Sequence, residues 1–324
     1  MPTITCGIDE AGYGPMLGPL CIAAAAFRVP DTLNPASTGH HPPPDLWSML
    51  DRAVCRAPRD PQGRVPIADS KRLKRPNSVK RGHPLEHLER AVLACMPELP
   101  PTDDALLDAL GARLPGTPHY RAEPAPLPLG RDAASLRIDA ARLAAAMHRA
   151  GVEPVGIRCV VIDERTFNDA VRAAGTKARA TALGVIPLAR WAARHAEAAG
   201  DRLDLVCDQQ SGRTDDTPLL AECFPGARIG RTSNADGART YAVGTDHTAR
   251  VMPEAEDHHL PVALASMTAK LVRELAMIRF NRHFSSRLPE LKPTAGYVAD
   301  ARRWLRDAAP VLTPEDTNAL VRIA

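Results

Sequence analysis

Two neighbouring acids, Asp9 and Glu10, close an apolar run and precede a glycine-rich turn in Gly7-Ile8-Asp9-Glu10-Ala11-Gly12-Tyr13-Gly14-Pro15. Carboxylates that close repel unless a cation lies between them. Oxygen-only ligands select Mg²⁺ or Mn²⁺ over zinc. Successive strand side chains point to opposite faces, so the pair diverges unless the backbone turns there, and the glycines that follow make such a turn cheap. The same two acids could also end a strand in solvent. A third acid, Asp208, closes the run LDLVCD, where α/β folds gather site residues above a sheet, although Asp also starts loops. Glu254-Ala255-Glu256-Asp257-His258-His259 stands ahead of Pro261. Acids there favour a helix macrodipole, and the paired histidines are either metal ligands or solvated loop residues. Asp69-Ser70-Lys71 opens a run of six cations in eleven residues, from Lys71 to Arg81, without an acid among them. Such a run grips phosphates or lines a solvated loop.

The elements that must position these groups follow from periodicity. Residues 3–9 alternate and predict a strand, and residues 19–29 predict a second, buried one. Strands joined so closely favour an antiparallel hairpin. The glycines at 12, 14 and 18 do not match a dinucleotide fingerprint, because Pro15 interrupts them and a strand follows where a helix is required. Residues 30–66 read as loop with one short helix around Leu46, 85–96 as a helix, and 97–131 as a second proline-punctuated stretch. Helices are predicted over 135–150, within 178–199, and from Pro261, where proline suits the first turn. Strands are predicted over 155–162 and 203–207, with short ones in 227–252. Mixed strands and helices place the chain in the α/β class.

The composition bounds the function. With 324 residues, 41 Lys plus Arg against 38 Asp plus Glu, and 44% hydrophobic residues, the chain has an ordinary globular composition. A net charge of +3 excludes attachment to nucleic acid or membrane by bulk basicity alone. Of the 31 prolines, 21 fall in residues 1–128, which predicts long loops there. The seven cysteines are odd in number and form no C-x-x-C pair, so free thiols in the cytoplasm are expected. No stretch is long and apolar enough for a membrane helix, and the N-terminal residues do not form a signal peptide.

Four segments resemble, in order, motifs of the type 2 ribonuclease H (ribonuclease HII) family. GIDEAGYGPMLGPL resembles its opening motif, DSKRL its D-S-K-K-L element, HLPVALASMTAKLVRE its A-A-S-I-x-A-K-V-x-R-D helix, and GYVADARRWL its later G-Y-x-T segment. The resemblance spans nearly the whole chain. It implies a ribonuclease H-like mixed five-stranded sheet flanked by helices, with the catalytic domain over 1–284 and a helical C-terminal part over 285–324. Proline-rich insertions would lie near 30–66 and 97–131. It also implies four acids binding Mg²⁺ or Mn²⁺: Asp9, Glu10, Asp208 and, by an ungapped count back from Pro261 and Ser266, Asp257. Glu256 or Glu254 replaces the last if the loop register differs, and Glu274 falls outside the quartet. The turn Gly12-Tyr13-Gly14 would bring backbone groups against the 2′-hydroxyl, Tyr297 would stack near the RNA–DNA junction, and Ser70 and Lys71 would contact phosphate.

The activity so implied is endoribonucleolytic hydrolysis of the RNA strand of RNA–DNA hybrids. Two metal ions would activate the water and stabilise the leaving 3′ oxygen, giving 5′-phosphate and 3′-hydroxyl ends. The expected partner is nucleic acid, with no membrane, and the expected state a monomer. The alternatives are a nucleic-acid-binding module of the same fold without catalysis, and a nuclease of that fold acting on another nucleic acid. The sequence departs from the family where Tyr13 replaces an arginine, where Gln209-Gln210 follows Asp208 in place of Gly-Asn, and where no threonine follows Gly296-Tyr297. The segment from Asp208 to Asp257 is also long, as for a small strand-rich insertion. These departures mark a divergent branch.

Overall fold

Thr3–Ala11 (β1) and Leu20–Val29 (β2) pair antiparallel, in register from Thr3 with Val29 to Ala11 with Cys21. The computed structural model describes residues 1–31, 43–209, 213–235 and 237–323. Residues 32–42 of the proline-rich stretch, and Gln210, lie outside the described residues. Alternation along β1 sorts its side chains between two cores. Ile4, Cys6 and Ile8 enter one, while Ala11 enters the other.

The stretch expected as loop before residue 66 carries a one-turn helix, Leu46–Met49 (α1), and two short paired strands, Val54–Cys55 (β3) and Val65–Pro66 (β4). Ser70–Leu73 (α2) and Glu86–Ala94 (α3) follow. Within the second proline-punctuated stretch, Asp103–Ala109 (α4) is a further helix, capped by the Thr102 hydroxyl, which accepts from the Ala105 amide at 3.2 Å. Ala133–Ala150 (α5) leads to Glu153–Ile162 (β5), which joins the free edge of β2 antiparallel. Glu164–Ala174 (α6) and Lys177–Ala199 (α7) carry the chain back to Arg202–Asp208 (β6), parallel to β1.

After Thr217–Cys223 (α8), the strands Ile229–Ala235 (β7), Ala238–Val243 (β8) and His247–Met252 (β9) complete a sheet of order β5-β2-β1-β6-β9-β8-β7. The sheet thus has seven strands rather than the expected five. β9 lies parallel to β6, and the β7–β8 hairpin covers the edge that β9 would leave open. The long segment after Asp208 therefore extends the sheet.

Ala255–His258 (α9), Leu260–Arg287 (α10), Val298–Asp307 (α11) and Pro314–Leu320 (α12) finish the chain. Two glycines let the main helices lie directly on the sheet. A Cβ on Gly7 would fall 2.1 Å from the Val262 nitrogen, and one on Gly184 would fall 2.6 Å from Ile22 Cδ1. Hence α10 crosses β1 on one face and α7 crosses β2 on the other. Helix α10 runs unbroken across residues 284 and 285. Trp304 and Leu320 pack with Phe280 and Phe284 at its far end. The seven cysteines are free. Among the described residues, no helix is long and apolar enough to cross a membrane.

Candidate active site

Parallel pairing of β1 with β6 sets Ile8 opposite Cys207. The next residues, Asp9 two places before the end of β1 and Asp208 at the end of β6, therefore share one face. That face is the one α10 covers: Ser266, nearly two turns into α10, acts on the buried Asp9 carboxyl in favour of its charged form. β1 does not turn at the acids as expected. It runs on to Ala11, and the first residue of positive φ is Gly12, at 97°. Glu10 nevertheless lies within electrostatic reach of Asp208, and its own amide donates to Asp9 Oδ1 at 2.7 Å.

The charges work against one another. Burial raises the Asp9 carboxyl well above its ordinary value, and Glu10 and Asp208 raise it further. Burial lifts Glu10 to about 7, with Asp208 adding to the rise and Lys71 opposing it. Asp208 and Glu256 are also raised, first by burial. Four acids thus share one small region, with Lys71 the cation acting on Glu10, Asp208 and Glu256.

Of the two acids at 256 and 257, it is Glu256 and not Asp257, the one counted back from Pro261, that lies with the other three. Asp257 is 43% exposed and pairs with Arg72 at 3.6 Å, while Glu256 is 8% exposed and lies 3.7 Å from Lys71 Nζ. Glu256 also acts electrostatically on Asp9 and Glu10 and is itself raised by Asp208. The cause is local. Glu254 takes a left-handed conformation (φ 52°), α9 is a single turn, and the Ala255 amide donates to Asp208 Oδ1 at 3.1 Å. That start turns residue 256 inward and residue 257 out.

Asp69 caps α2, accepting from the Lys71 amide at 2.8 Å. Ser70, expected to contact phosphate, opens α2. It is buried, and its Oγ accepts from Ser266 Oγ at 3.0 Å. The cation of this turn nearest the acids is Lys71, whose side chain is 82% exposed. Ser266, inside the quoted helix motif, therefore links Ser70 to Asp9. Its identity as a hydroxyl between two apolar neighbours was the only sequence signal.

Gly12 and Gly14 differ in kind. A Cβ on Gly12 would meet the Pro19 carbonyl at 2.6 Å and Arg273 Nε at 2.7 Å, whereas one on Gly14 would meet nothing within 4 Å. Tyr13 packs against the sheet's other core, with Lys177 Nζ 5.9 Å from its ring centroid. Tyr297 is 49% exposed, with Lys270 Nζ 3.5 Å from its hydroxyl and the Arg273 guanidinium 5.7 Å from its ring centroid. Behind this surface lie two buried arginines that sequence reading did not single out, Arg273 and Arg322. Beside α10, between the basic loop and the segment before Tyr297, opens a cavity of about 620 Å³ that Leu85, Glu274, Met277 and Asn281 help to line.

The acids fit a hard divalent cation by their chemistry. All donors are oxygens, the carboxyls oppose one another's ionisation, and Glu256 Oε2 is buried without a hydrogen-bond partner. Among the described residues, no group of three or more His, Cys, Asp or Glu side chains is drawn in around one ion position.

No family model matches the chain, and no curated protein matches it. Solved structures do. The chain is similar over 98% of its length to 92% of the ribonuclease H2 of Pyrococcus horikoshii OT3, at 13% identity and a TM-score of 0.40. It is similar over 99% of its length to 94% of a chain in the PCNA:RNase HII complex of Archaeoglobus fulgidus, at 15% identity and a TM-score of 0.38. Against Bst-RNase HIII in complex with Mn²⁺ it covers 99% of itself and 66% of that chain, at 14% identity and a TM-score of 0.42.

Proposed function

We propose that the protein is a metal-dependent nuclease that hydrolyses the RNA strand of RNA–DNA hybrids. The observation that carries this is the grouping of Asp9, Glu10, Asp208 and Glu256, in which the other three all raise the proton affinity of the buried Asp9 carboxyl. Uncompensated carboxylates at the ends of adjacent parallel strands are what a hard cation requires. Mg²⁺ or Mn²⁺ held there would supply positive charge to the attacking water and the leaving 3′ oxygen, giving 5′-phosphate and 3′-hydroxyl ends. Asp9 and Asp208 would be the rigid ligands, Asp9 accepting from the Glu10 amide and Asp208 from the Ala255 amide. Glu10 and Glu256 complete the set, and Lys71 is the neighbouring cation for a substrate phosphate. Gly12, Tyr13, Gly14 and Tyr297 form the surface against which the nucleotide is read, since only RNA offers a 2′-hydroxyl there.

The test is cleavage of a labelled RNA–DNA hybrid with Mg²⁺ or Mn²⁺, alongside all-RNA and all-DNA duplexes. The intact chain is expected to cut the hybrid, and Asp9→Asn to cut it at least about 1,000-fold more slowly. Equal rates for the two would end the enzymatic reading. Preference for a duplex without RNA would move the activity to another nucleic acid.

A further inference from the structure

Arg322 lies in the segment after α12, is only 3% exposed, and reaches back across the whole chain to the Gly12–Gly18 turn. Its Nη1 donates to the Gly12 carbonyl at 2.5 Å and the Gly18 carbonyl at 3.4 Å, and its Nη2 donates to the Tyr13 carbonyl at 3.1 Å. Its backbone amide donates to the Met16 carbonyl at 2.9 Å. The guanidinium stacks 3.8 Å over the Phe167 ring. The segment is fixed by Asn168, whose amide donates to the Val321 carbonyl at 2.9 Å and whose oxygen accepts from the Ile323 amide at 2.8 Å.

This arrangement fixes which way two peptide planes face. In a planar trans peptide the C=O and the following N–H point in opposite directions. With the Gly12 and Tyr13 carbonyls held inward by Arg322, the Tyr13 and Gly14 amides point away from the guanidinium. Among the described residues no acceptor takes either amide. Gly14 is exposed, with open space where a Cβ would stand.

The arrangement is costly as mere structure. Arg322 is buried near a second cation, Arg273, whose Nη2 donates to the Leu17 carbonyl at 3.3 Å and the Ala295 carbonyl at 3.0 Å. Burial of the two cations is only partly offset by the neighbouring Glu164 carboxyl, and desolvation lowers Arg322 to about 10.

We infer that Arg322 is a positioning residue for the Gly12-Tyr13-Gly14 turn, holding the Tyr13 and Gly14 amides outward as a donor pair for a substrate oxygen. The inference rests on reading that turn as part of the substrate surface.

The experiment compares the full chain with Arg322→Ala and Arg322→Lys by two readouts. The first is hydrogen exchange at the Met16 and Leu17 amides, which donate to the Gly296 carbonyl at 2.8 and 3.1 Å. Exchange there is expected to rise at least about 10-fold in Arg322→Ala, with β1 and β6 unchanged. The second is hybrid cleavage, where kcat is expected to fall about 100-fold with KM within about twofold. Added guanidinium ion is expected to restore part of that loss. Lysine, a point charge without the planar fork, is expected to give an intermediate result, and it carries the test if the alanine variant does not fold. Unchanged exchange and kcat in a folded variant overturn the inference, as does loosening of the whole molecule without rescue. If the intact chain cuts no hybrid, the nuclease reading fails separately, and exchange alone decides whether the clamp exists.

Discussion

Glu256 and Asp257 are adjacent acids with opposite surroundings, and the difference is measurable. Glu256 lies buried among three other carboxyls, whereas Asp257 reaches out to Arg72. Glu256→Gln is expected to lower the hydrolysis rate and weaken Mn²⁺ binding by about 100-fold, while Asp257→Asn changes each by less than about threefold. Single-turnover cleavage and calorimetric Mn²⁺ titration check both, and the reverse ranking would return the fourth ligand to Asp257. At this scale Asp9, Glu10 and Asp208 were legible because each ends an apolar run. The choice between 256 and 257 was not, because it depends on a left-handed Glu254 and one helical turn, which no periodicity reports. Ser70 was legible as part of a motif but not in its role, since its partner Ser266 is 196 residues away.

Elements with their own period were readable, and those fixed by tertiary packing were not. The hairpin of β1 and β2 follows from alternation and a short connection. α4 was hidden between prolines, although Thr102 ahead of Asp103 and Asp104 is a helix-start signal. The extra strands β7 and β8 were visible as strands, but their place on the sheet edge was not, because the order depends on β6 accepting β9. The seating of α10 yields an element-scale prediction. In Gly7→Ala the new methyl would overlap the Val262 backbone, which cannot move aside as a side chain would. The expected loss is about 3 kcal/mol or more, or failure to fold, read from the urea midpoint. A variant as stable as the parent would show that α10 rides less tightly on β1 than the distances say.

For the whole molecule, pH acts on stability through Glu164, buried where α6 begins and accepting from the Tyr120 hydroxyl at 2.7 Å and the Gly18 amide at 3.1 Å. Burial lifts its carboxyl from 4.5 to about 7. Between those values the folded chain keeps a proton that the unfolded chain has released. This contribution is full below about pH 4.5 and is lost as pH rises through about 7, amounting to on the order of 3 kcal/mol. Urea unfolding of the metal-free protein at about pH 5 and about pH 8 is expected to show a smaller decline in Glu164→Gln than in the parent. Equal declines would remove Glu164 as the cause. The span of the Arg322 contact has a last consequence, for the chain as it is being made. Gly12 and Arg322 are 310 positions apart, and Asp9 needs both Asp208 and Glu256. Closing so distant a loop comes late in folding. A polypeptide still emerging from the ribosome therefore holds these acids in separate pieces, and their grouping forms only after residue 256 has been made.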